Sequence, residues 1–280
     1  MTRLRKAYPD DFKAAYPLLA AFNNPKLGAA EWRRLFQPHW RSPHDHIGYL
    51  MEDGARTVGF LAAIYATRPL AGRREVFCNL SSWRVLPNYR GESLAMLAGA
   101  LEDAPVTYTD FTGNKVAPLM RSFGFRQLGA QYHILLPLPA LHRCCQLVWQ
   151  PDQIAAGLSG DALQVYLDHA EMMCRHVLLK TPHGNCHIIF REARKKRLPV
   201  AQVLYLSDRD IFERHARHLT AALCTHELTA GLMVNSHMLD HAPGAALTIP
   251  QRQAFLFRSQ SVKAEEMDYL YSELVLLGVA

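Results

Sequence analysis

The chain has 280 residues, 49% hydrophobic and 20% charged, an ordinary globular composition that can bury one large core or two modest ones. Its formal net charge of +6 permits an anionic ligand but is too mild and too scattered to indicate nucleic-acid binding. No apolar run of about 18 residues predicts a membrane span, and "MTRLRKAYPDDF" lacks the apolar core of a signal peptide, so we expect neither a membrane partner nor secretion.

Hydrophobic spacing and turn signals predict the order β-α-α-β-β-β-α-β-α-β for the first half of the chain. The expected strands are 2–7, 46–52, 56–67, 74–85, 106–111 and 131–138, and the expected helices follow Asp11, span 29–36, follow residue 90 and span 114–125. Asp53-Gly54 predicts a hairpin, whereas a helical crossover after residue 90 can only join parallel strands. These elements predict a mixed, mostly antiparallel sheet with helices on both faces, an α/β (α+β) fold.

The second half shows the same order of elements. Two helices are expected within 151–173 and one at 209–223, with strands at 175–181, 185–192, 198–207 and 228–234 and with 253–259 and 268–277 ending the sheet. The interval from residue 85 to 106 equals that from 207 to 228, which indicates an internal repeat of structure. We therefore predict one domain at 1–138, a junction at 139–150 and a second domain at 151–280.

The stretch "VLPNYRGESLAML" (85–97) passes from a predicted strand into a predicted helix. A helix start carries backbone N–H groups without partners and a positive dipole, so it can hold a phosphate. Gly91 permits a close approach of the backbone, and Arg90 adds a charged donor. A plain strand-to-helix turn with a solvated Arg90 is the alternative.

These residues resemble the GCN5-related N-acetyltransferase (GNAT) superfamily of acyl-CoA-dependent acyltransferases. The family's V-x-P, R/Q-x-x-G-x-G/A, N-x-x-A and G-F motifs correspond here to "VLP" at 85–87, "RGESLA" at 90–95, "NKVA" at 114–117 and "GF" at 124–125. The chain departs from the family at Ser93, where glycine is usual. The resemblance covers about residues 1–138, and the second half looks like a degenerate GNAT-like unit in tandem, because "LSDRDIF" (206–212) lacks a glycine.

The resemblance implies acetyl-CoA or another acyl-CoA as the acyl donor. Its pyrophosphate would rest on the backbone of Gly91, Glu92, Ser93, Leu94 and Ala95 beside Arg90. The pantetheine arm would follow the strand that ends at Val85, and Asn114 would hold the far end of the cofactor arm. A backbone N–H near Trp83 to Val85 would receive the acyl carbonyl.

The tyrosine that often serves as the acid in this family is missing, since Met120 or Arg121 stands in its place. Tyr108 and Asp110 share one face of the strand at 106–111 and are candidate catalytic residues. Asp110 could bind or deprotonate an amine, or could simply cap the turn "TGN". Tyr132 is the third candidate. For its neighbour His133, a structural role is the simpler interpretation, because a lone histidine on a strand is more often structural than catalytic.

No metal site is expected. His44-Asp45-His46 suggests one, but no second ligand group has zinc-like spacing, so a polar loop is favoured. Six cysteines without a C-x-x-C pair indicate free thiols in a reducing compartment, and we expect a cytoplasmic protein.

The sequence thus predicts direct acyl transfer from acyl-CoA to an amine of a small-molecule acceptor, with homodimer formation left open. The rival hypothesis is a catalytically inactive GNAT-like module that binds CoA, an acyl carrier protein or a partner protein.

Overall fold

The computed structural model describes residues 2–103, 106–113, 115–139, 145–241, 243–244, 246–251 and 253–278. Its strands are β1 Thr2–Ala7, β2 Gly48–Asp53, β3 Arg56–Leu70, β4 Arg73–Val85, β5 Thr107–Gly113, β6 Arg126–Leu128, β7 Gln131–Leu135, β8 Gln146–Val148, β9 Arg175–Thr181, β10 Gly184–Lys195, β11 Leu198–Leu206, β12 Leu232–Asn235, β13 Ala246–Pro250 and β14 Gln253–Arg258. Its α-helices are α1 Phe12–Ala20, α2 Ala29–Arg33, α3 Ser93–Ala100, α4 Ala117–Ser122, α5 Pro151–Ala156, α6 Gly160–His169, α7 Arg209–Glu227 and α8 Glu273–Leu276.

The first sheet has seven strands in the order β1-β2-β3-β4-β5-β14-β6. Strands β1 to β4 form an antiparallel meander, and α3 carries the chain over to β5, which pairs with β4 in parallel. Strand β3 is buried without a break from Val58 to Ala66, because it lies inside the sheet with both faces covered. The predicted mixed sheet with one helical crossover is confirmed.

The second sheet also has seven strands, in the order β13-β7-β12-β11-β10-β9-β8. Strands β9, β10 and β11 form an antiparallel meander, and α7 leads to β12, which pairs with β11 in parallel. This order repeats the arrangement of β2 to β5 around α3. The predicted internal repeat is therefore present as a repeat of structure.

Two strands lie in a different sheet from the one that the order of the sequence suggests. Strand β7, expected to close the first sheet, pairs with β12 and β13 in the second. Strand β14, expected to end the second sheet, lies beside β5 in the first. Hydrophobic periodicity identifies a strand but does not name its neighbours, so both elements were predicted and both were assigned to the wrong sheet.

The chain divides into two compact units that are each discontinuous. The first comprises 1–126, 255–262 and 271–280, and the second comprises 127–254 and 263–270. This division differs from a simple split at 138, because the chain returns to the first unit near its end.

The segment 268–277 is not a strand as expected. It ends in the short helix α8, whose first N–H groups are capped by the Ser272 side chain, which accepts a hydrogen bond from the Leu274 N–H at 3.3 Å. In the described part of the chain, no helix is long and apolar enough to cross a membrane.

Candidate active site

The strands β4 and β5 of the first unit separate after four paired residues. Their parallel register runs from Phe77–Thr107 to Leu80–Asp110. On the other side of β4, the register with β3 passes from Ala62–Ser81 to Phe60–Arg84 and skips Ser82 and Trp83. This is a β-bulge, and Ser82 at its centre has a φ of 53°, an unfavourable value for a residue with a side chain. The bulge turns the end of β4 away from β5 and opens a cleft between them.

The inner part of this cleft is a cavity of about 180 Å³. Apolar side chains form most of its wall, among them Leu61, Leu80, Phe111 and Met120. Two carboxylates, Asp110 and Glu273, also line it, together with Ser81 and Ser82. A pair of acidic groups in an apolar cavity is the kind of environment in which pKa values move.

Asp110 has a strongly raised pKa. Burial against the cavity wall and, second, the negative charge of Glu273 raise the pKa of Asp110 to about 8. The carboxyl therefore exchanges its proton near neutral pH, which suits a general acid or base. The expectation that Asp110 points to the cleft agrees with this placement, whereas a role confined to capping a turn does not explain its position beside Glu273.

Glu273 was not identified from the sequence. Its backbone N–H donates to the Asn79 side-chain oxygen at 2.9 Å, and its carboxylate accepts a hydrogen bond from the Ser81 hydroxyl. Asn79, fully buried on β4, also donates through its amide nitrogen to the Thr109 carbonyl at 3.2 Å. One amide thus ties β4, β5 and the start of α8 together and holds Glu273 at the cavity. The only signal in the sequence was Ser272-Glu273, a pair typical of a helix start.

The outer part of the cleft has a volume of about 380 Å³, and four of the residues expected to bind the cofactor line it. Arg90, Ser93, Trp83 and Val85 line it, and Val116 and Leu119 face them from the segment around α4. The inner and outer parts share Phe22, Trp83 and Val116 in their walls, so they adjoin. A long ligand can therefore extend from Arg90 to Asp110.

The turn around Arg90 differs in detail from the expected cradle. Residues Pro87–Glu92 form a 3-10 helix, and α3 begins only at Ser93. The Ser93 N–H and hydroxyl both donate to the Arg90 carbonyl, the hydroxyl at 2.7 Å. In this arrangement both Ser93 donors are therefore already engaged and do not face a phosphate. The space around Gly91 is open, since no heavy atom lies within 4 Å of the position that a Cβ would take. An exposed arginine beside an accessible backbone fits an anionic group.

Gly91 and three other residues of the expected cradle lie outside the lining of the cleft. The Glu92 carboxylate accepts a hydrogen bond from the Thr2 hydroxyl, and Leu94 and Ala95 are exposed on α3. The Glu92 side chain thus turns to β1. Asn114 lies outside the described residues.

The two candidate tyrosines do not line the cleft. Tyr108 is buried, and its hydroxyl donates to the Asp103 carbonyl at 2.8 Å, although it shares a strand face with Asp110. Tyr132 lies on β7 in the second unit, where its hydroxyl is 3.3 Å from that of Tyr269. Burial raises the pKa of both phenols. Met120, one of the two residues expected in place of the missing tyrosine, lines the cavity.

In the second unit, the N-terminus of the crossover helix α7 is capped by a side chain of the protein itself. Asp208 caps α7 by accepting a hydrogen bond from the Ile211 N–H at 2.8 Å. A carboxylate at this position satisfies a free N–H group and repels a phosphate. This geometry supports the expectation that the second unit is degenerate.

Comparison with solved structures identifies the fold. A GCN5-related N-acetyltransferase from Kribbella flavida matches with a TM-score of 0.60 and 16% identity over 94% of this chain and 72% of that one. One from Anabaena variabilis matches with a TM-score of 0.57 and 13% identity over 92% and 72%. A tandem GNAT protein from the clavulanic acid biosynthesis pathway matches with a TM-score of 0.52 and 15% identity over 94% of this chain and its whole length.

No protein-family model matches the sequence, and no curated protein matches it either. At these identities the structural matches establish the fold. The chain has the fold of the GCN5-related N-acetyltransferases. It contains two such units in tandem, each built on a seven-stranded mixed sheet.

Proposed function

We propose that the first unit transfers an acyl group from acyl-CoA directly to an amine of a small-molecule acceptor. The observation that carries the proposal is Asp110, a carboxyl with a pKa of about 8 in a cavity that adjoins the Arg90 cleft. Bound acyl-CoA supplies a thioester-activated acyl group. The small inner cavity favours a short chain such as acetyl.

The chain's own residues have separate roles in this proposal. Arg90 and the open backbone at Gly91 hold the phosphates, and Trp83 and Val85 line the path of the pantetheine arm. The bulge at Ser82 and Trp83 supports a backbone N–H there as the donor to the acyl carbonyl, because a bulge takes a residue out of strand pairing.

Asp110 and Glu273 give the inner cavity a negative character that suits a cationic amine. An ammonium group placed between them offsets their mutual repulsion, and the ionised Asp110 takes a proton from the nitrogen so that its lone pair can attack. Asn79 and Ser81 are positioning residues in this arrangement, since they act through Glu273.

Binding of acyl-CoA is the first test. Calorimetric titration of the full chain with acetyl-CoA should show binding, and Arg90→Ala should weaken it by about 1.5–3 kcal/mol through loss of a charged hydrogen bond. Arg74→Ala is the matched control, because Arg74 is exposed on the same strand β4 and does not line the cleft. No binding of acetyl-CoA or of longer acyl-CoAs to folded protein would overturn the cofactor assignment.

Thiol release separates the enzyme from the rival hypothesis, a non-catalytic module with the same fold. Acyl-CoA with a panel of amines should release free thiol, and Asp110→Asn should lower that rate by about 100-fold or more while acyl-CoA binding is kept. The missing tyrosine favours the rival. Tight binding of acyl-CoA with an equal, background rate of thiol release in both proteins would support the inactive module.

A cytoplasmic location and a homodimer stay predictions.

A further inference from the structure

A second cluster of chemically reactive side chains lies in the first unit, apart from the residues that line the acyl-CoA cleft. His44 and His46 belong to the loop before β2, and Asp103 follows the end of α3. The His44 Nδ1 and the His46 Nε2 each lie 3.7 Å from the same oxygen, Oδ2 of Asp103. We call these three residues the His-His-Asp cluster. Both histidines also line a cavity of about 320 Å³.

The spacing of the cluster is close to that of metal ligands. Two ligands bound to Zn²⁺ at about 2.1 Å stand about 3.4 Å apart in tetrahedral geometry. Two of the three separations are 3.7 Å, and all ligand atoms lie within 4.8 Å of one another. His44 lies in a loop without helix or strand, so a small shift of its ring can close the remaining distance.

Hydroxyl groups already hold the carboxylate of the cluster in place. Tyr65 donates to Asp103 Oδ2 at 2.8 Å and Tyr49 donates to the same atom at 3.1 Å. The His44 ring stacks on Tyr65 with the ring centroids 4.1 Å apart. Hydrogen bonds of this kind orient the ligands in metal sites.

Without a metal, one buried atom of His46 has no suitable partner. The single proton of the Tyr49 hydroxyl goes to Asp103, so this hydroxyl can only accept from the His46 Nε2, which lies 3.2 Å away. A neutral His46 then has a bare Nδ1, which is buried, makes no hydrogen bond and lies 3.7 Å from the Asp45 carboxylate. A metal on Nε2 moves the proton to Nδ1, where it faces that carboxylate.

The ligand types of the cluster favour a transition metal, and charges of both signs surround it. Among these charges the Asp103 carboxylate acts most strongly on His44, and the Lys6 ammonium acts most strongly on His46, with the Asp45 carboxylate weaker on both. Two nitrogens and one carboxylate are ligands typical of Zn²⁺ rather than of Mg²⁺ or Ca²⁺.

We propose that the His-His-Asp cluster binds one divalent transition-metal ion, Zn²⁺ foremost, which fastens the loop before β2 to the end of α3. A metal that binds only the folded chain stabilises it by mass action. The sequence could not predict this site, because its third ligand follows the histidines only after two more strands, β3 and β4, and helix α3.

Calorimetric titration of the chelator-treated full chain with Zn²⁺ tests the proposal. Wild type should bind one equivalent that raises the midpoint of thermal unfolding. His46→Asn and Asp103→Asn should lose that equivalent. We expect Zn²⁺ binding to weaken by at least about 100-fold, because losing a residue that only supports a ligand already weakens metal binding by about 10- to 100-fold. His39→Asn is the matched control, because His39 lines the same cavity but bonds the Arg34 carbonyl at 2.8 Å instead.

Co²⁺ spectra exclude the alternative of cysteine ligands, since a site built from His and Asp gives no thiolate band. Circular dichroism verifies that each variant is folded. If His46→Asn does not fold, His44→Ala takes its place, because His44 is the more exposed ligand. Equal Zn²⁺ stoichiometry and affinity in wild type and in the folded ligand variants would overturn the proposal, as would a thiolate band.

Discussion

Asp110 shows how the surroundings of a single side chain decide its chemistry. An aspartate in water has a pKa near 3.9, and the apolar wall of the cavity together with Glu273 raises that of Asp110 to about 8. The sequence identified Asp110 because period-two alternation places it on one face of β5 at the expected cleft. Glu273 was not predicted, because its place at the cavity depends on a hydrogen bond to Asn79, a residue far away in the sequence.

The raised pKa of Asp110 makes folding depend on pH in a specific direction. From about pH 4 to pH 8 the folded chain holds a proton on Asp110 that the unfolded chain has released, so stability falls as the pH rises through this range. Asp110→Asn removes this loss of stability, because asparagine has no proton to release in this range. We expect the variant to be more stable than wild type at pH 9, with a much smaller difference at pH 4, as measured by urea unfolding.

Asp10→Asn is the control for this experiment, since Asp10 is exposed at the start of the chain and its change should have little effect at either pH. A stability difference between Asp110→Asn and wild type that is the same at pH 4 and pH 9 would contradict the shifted pKa. A gain in stability together with a loss of acyl transfer would mark Asp110 as a functional residue, kept at a cost in stability.

At the scale of elements, the two crossover helices begin in different ways. Helix α3 follows a 3-10 helix with an open Gly91, whereas α7 has the Asp208 carboxylate on its own first turn. The absence of glycine in "LSDRDIF" predicted a degenerate loop but not the Asp208 cap. The 3-10 helix at Pro87–Glu92 was not predicted, because no local pattern in this stretch separates it from a turn.

Asp208→Ala should destabilise α7 by about 1 kcal/mol, as loss of an N-terminal cap does elsewhere. The Ile211 N–H loses its acceptor, so its hydrogen exchange should become faster. Asp210→Ala is the matched control, since Asp210 lies in the same first turn, is exposed and should lose only a weaker interaction with the helix dipole. Unchanged exchange at Ile211 in Asp208→Ala would show that the cap contributes little.

At the scale of the whole molecule, the chain contributes strands to its two sheets out of sequential order. Strand β14 gives the first sheet two buried aromatic residues, Phe255 and Phe257, and Phe111 on β5 stacks on Phe255 with the ring centroids 4.8 Å apart. Helix α8 then brings Glu273 to the cavity. Both come from the last part of the chain, so the first unit depends on residues far beyond its first 126.

A fragment of residues 1–138 should therefore fail to fold stably. It lacks β14 and α8 and carries β7 without the strands with which β7 pairs, and an unpaired apolar strand promotes aggregation. We expect no cooperative thermal transition for this fragment by circular dichroism. The full chain is the reference, and a fragment that unfolds cooperatively at a similar temperature would instead support a domain boundary at 138.

The sequence by itself determined the features that local patterns encode. Alternating and helical hydrophobic spacing placed most strands and helices, and the Arg90 motif marked the end of β4. The resemblance to the GNAT family indicated a missing tyrosine, with Met120 or Arg121 in its place. Only the tertiary structure decided which strands share a sheet, which carboxylate lies beside Asp110, and that Asp103 meets His44 and His46. These outcomes depend on pairing and packing between distant segments, and residue spacing along a chain carries little information about such contacts.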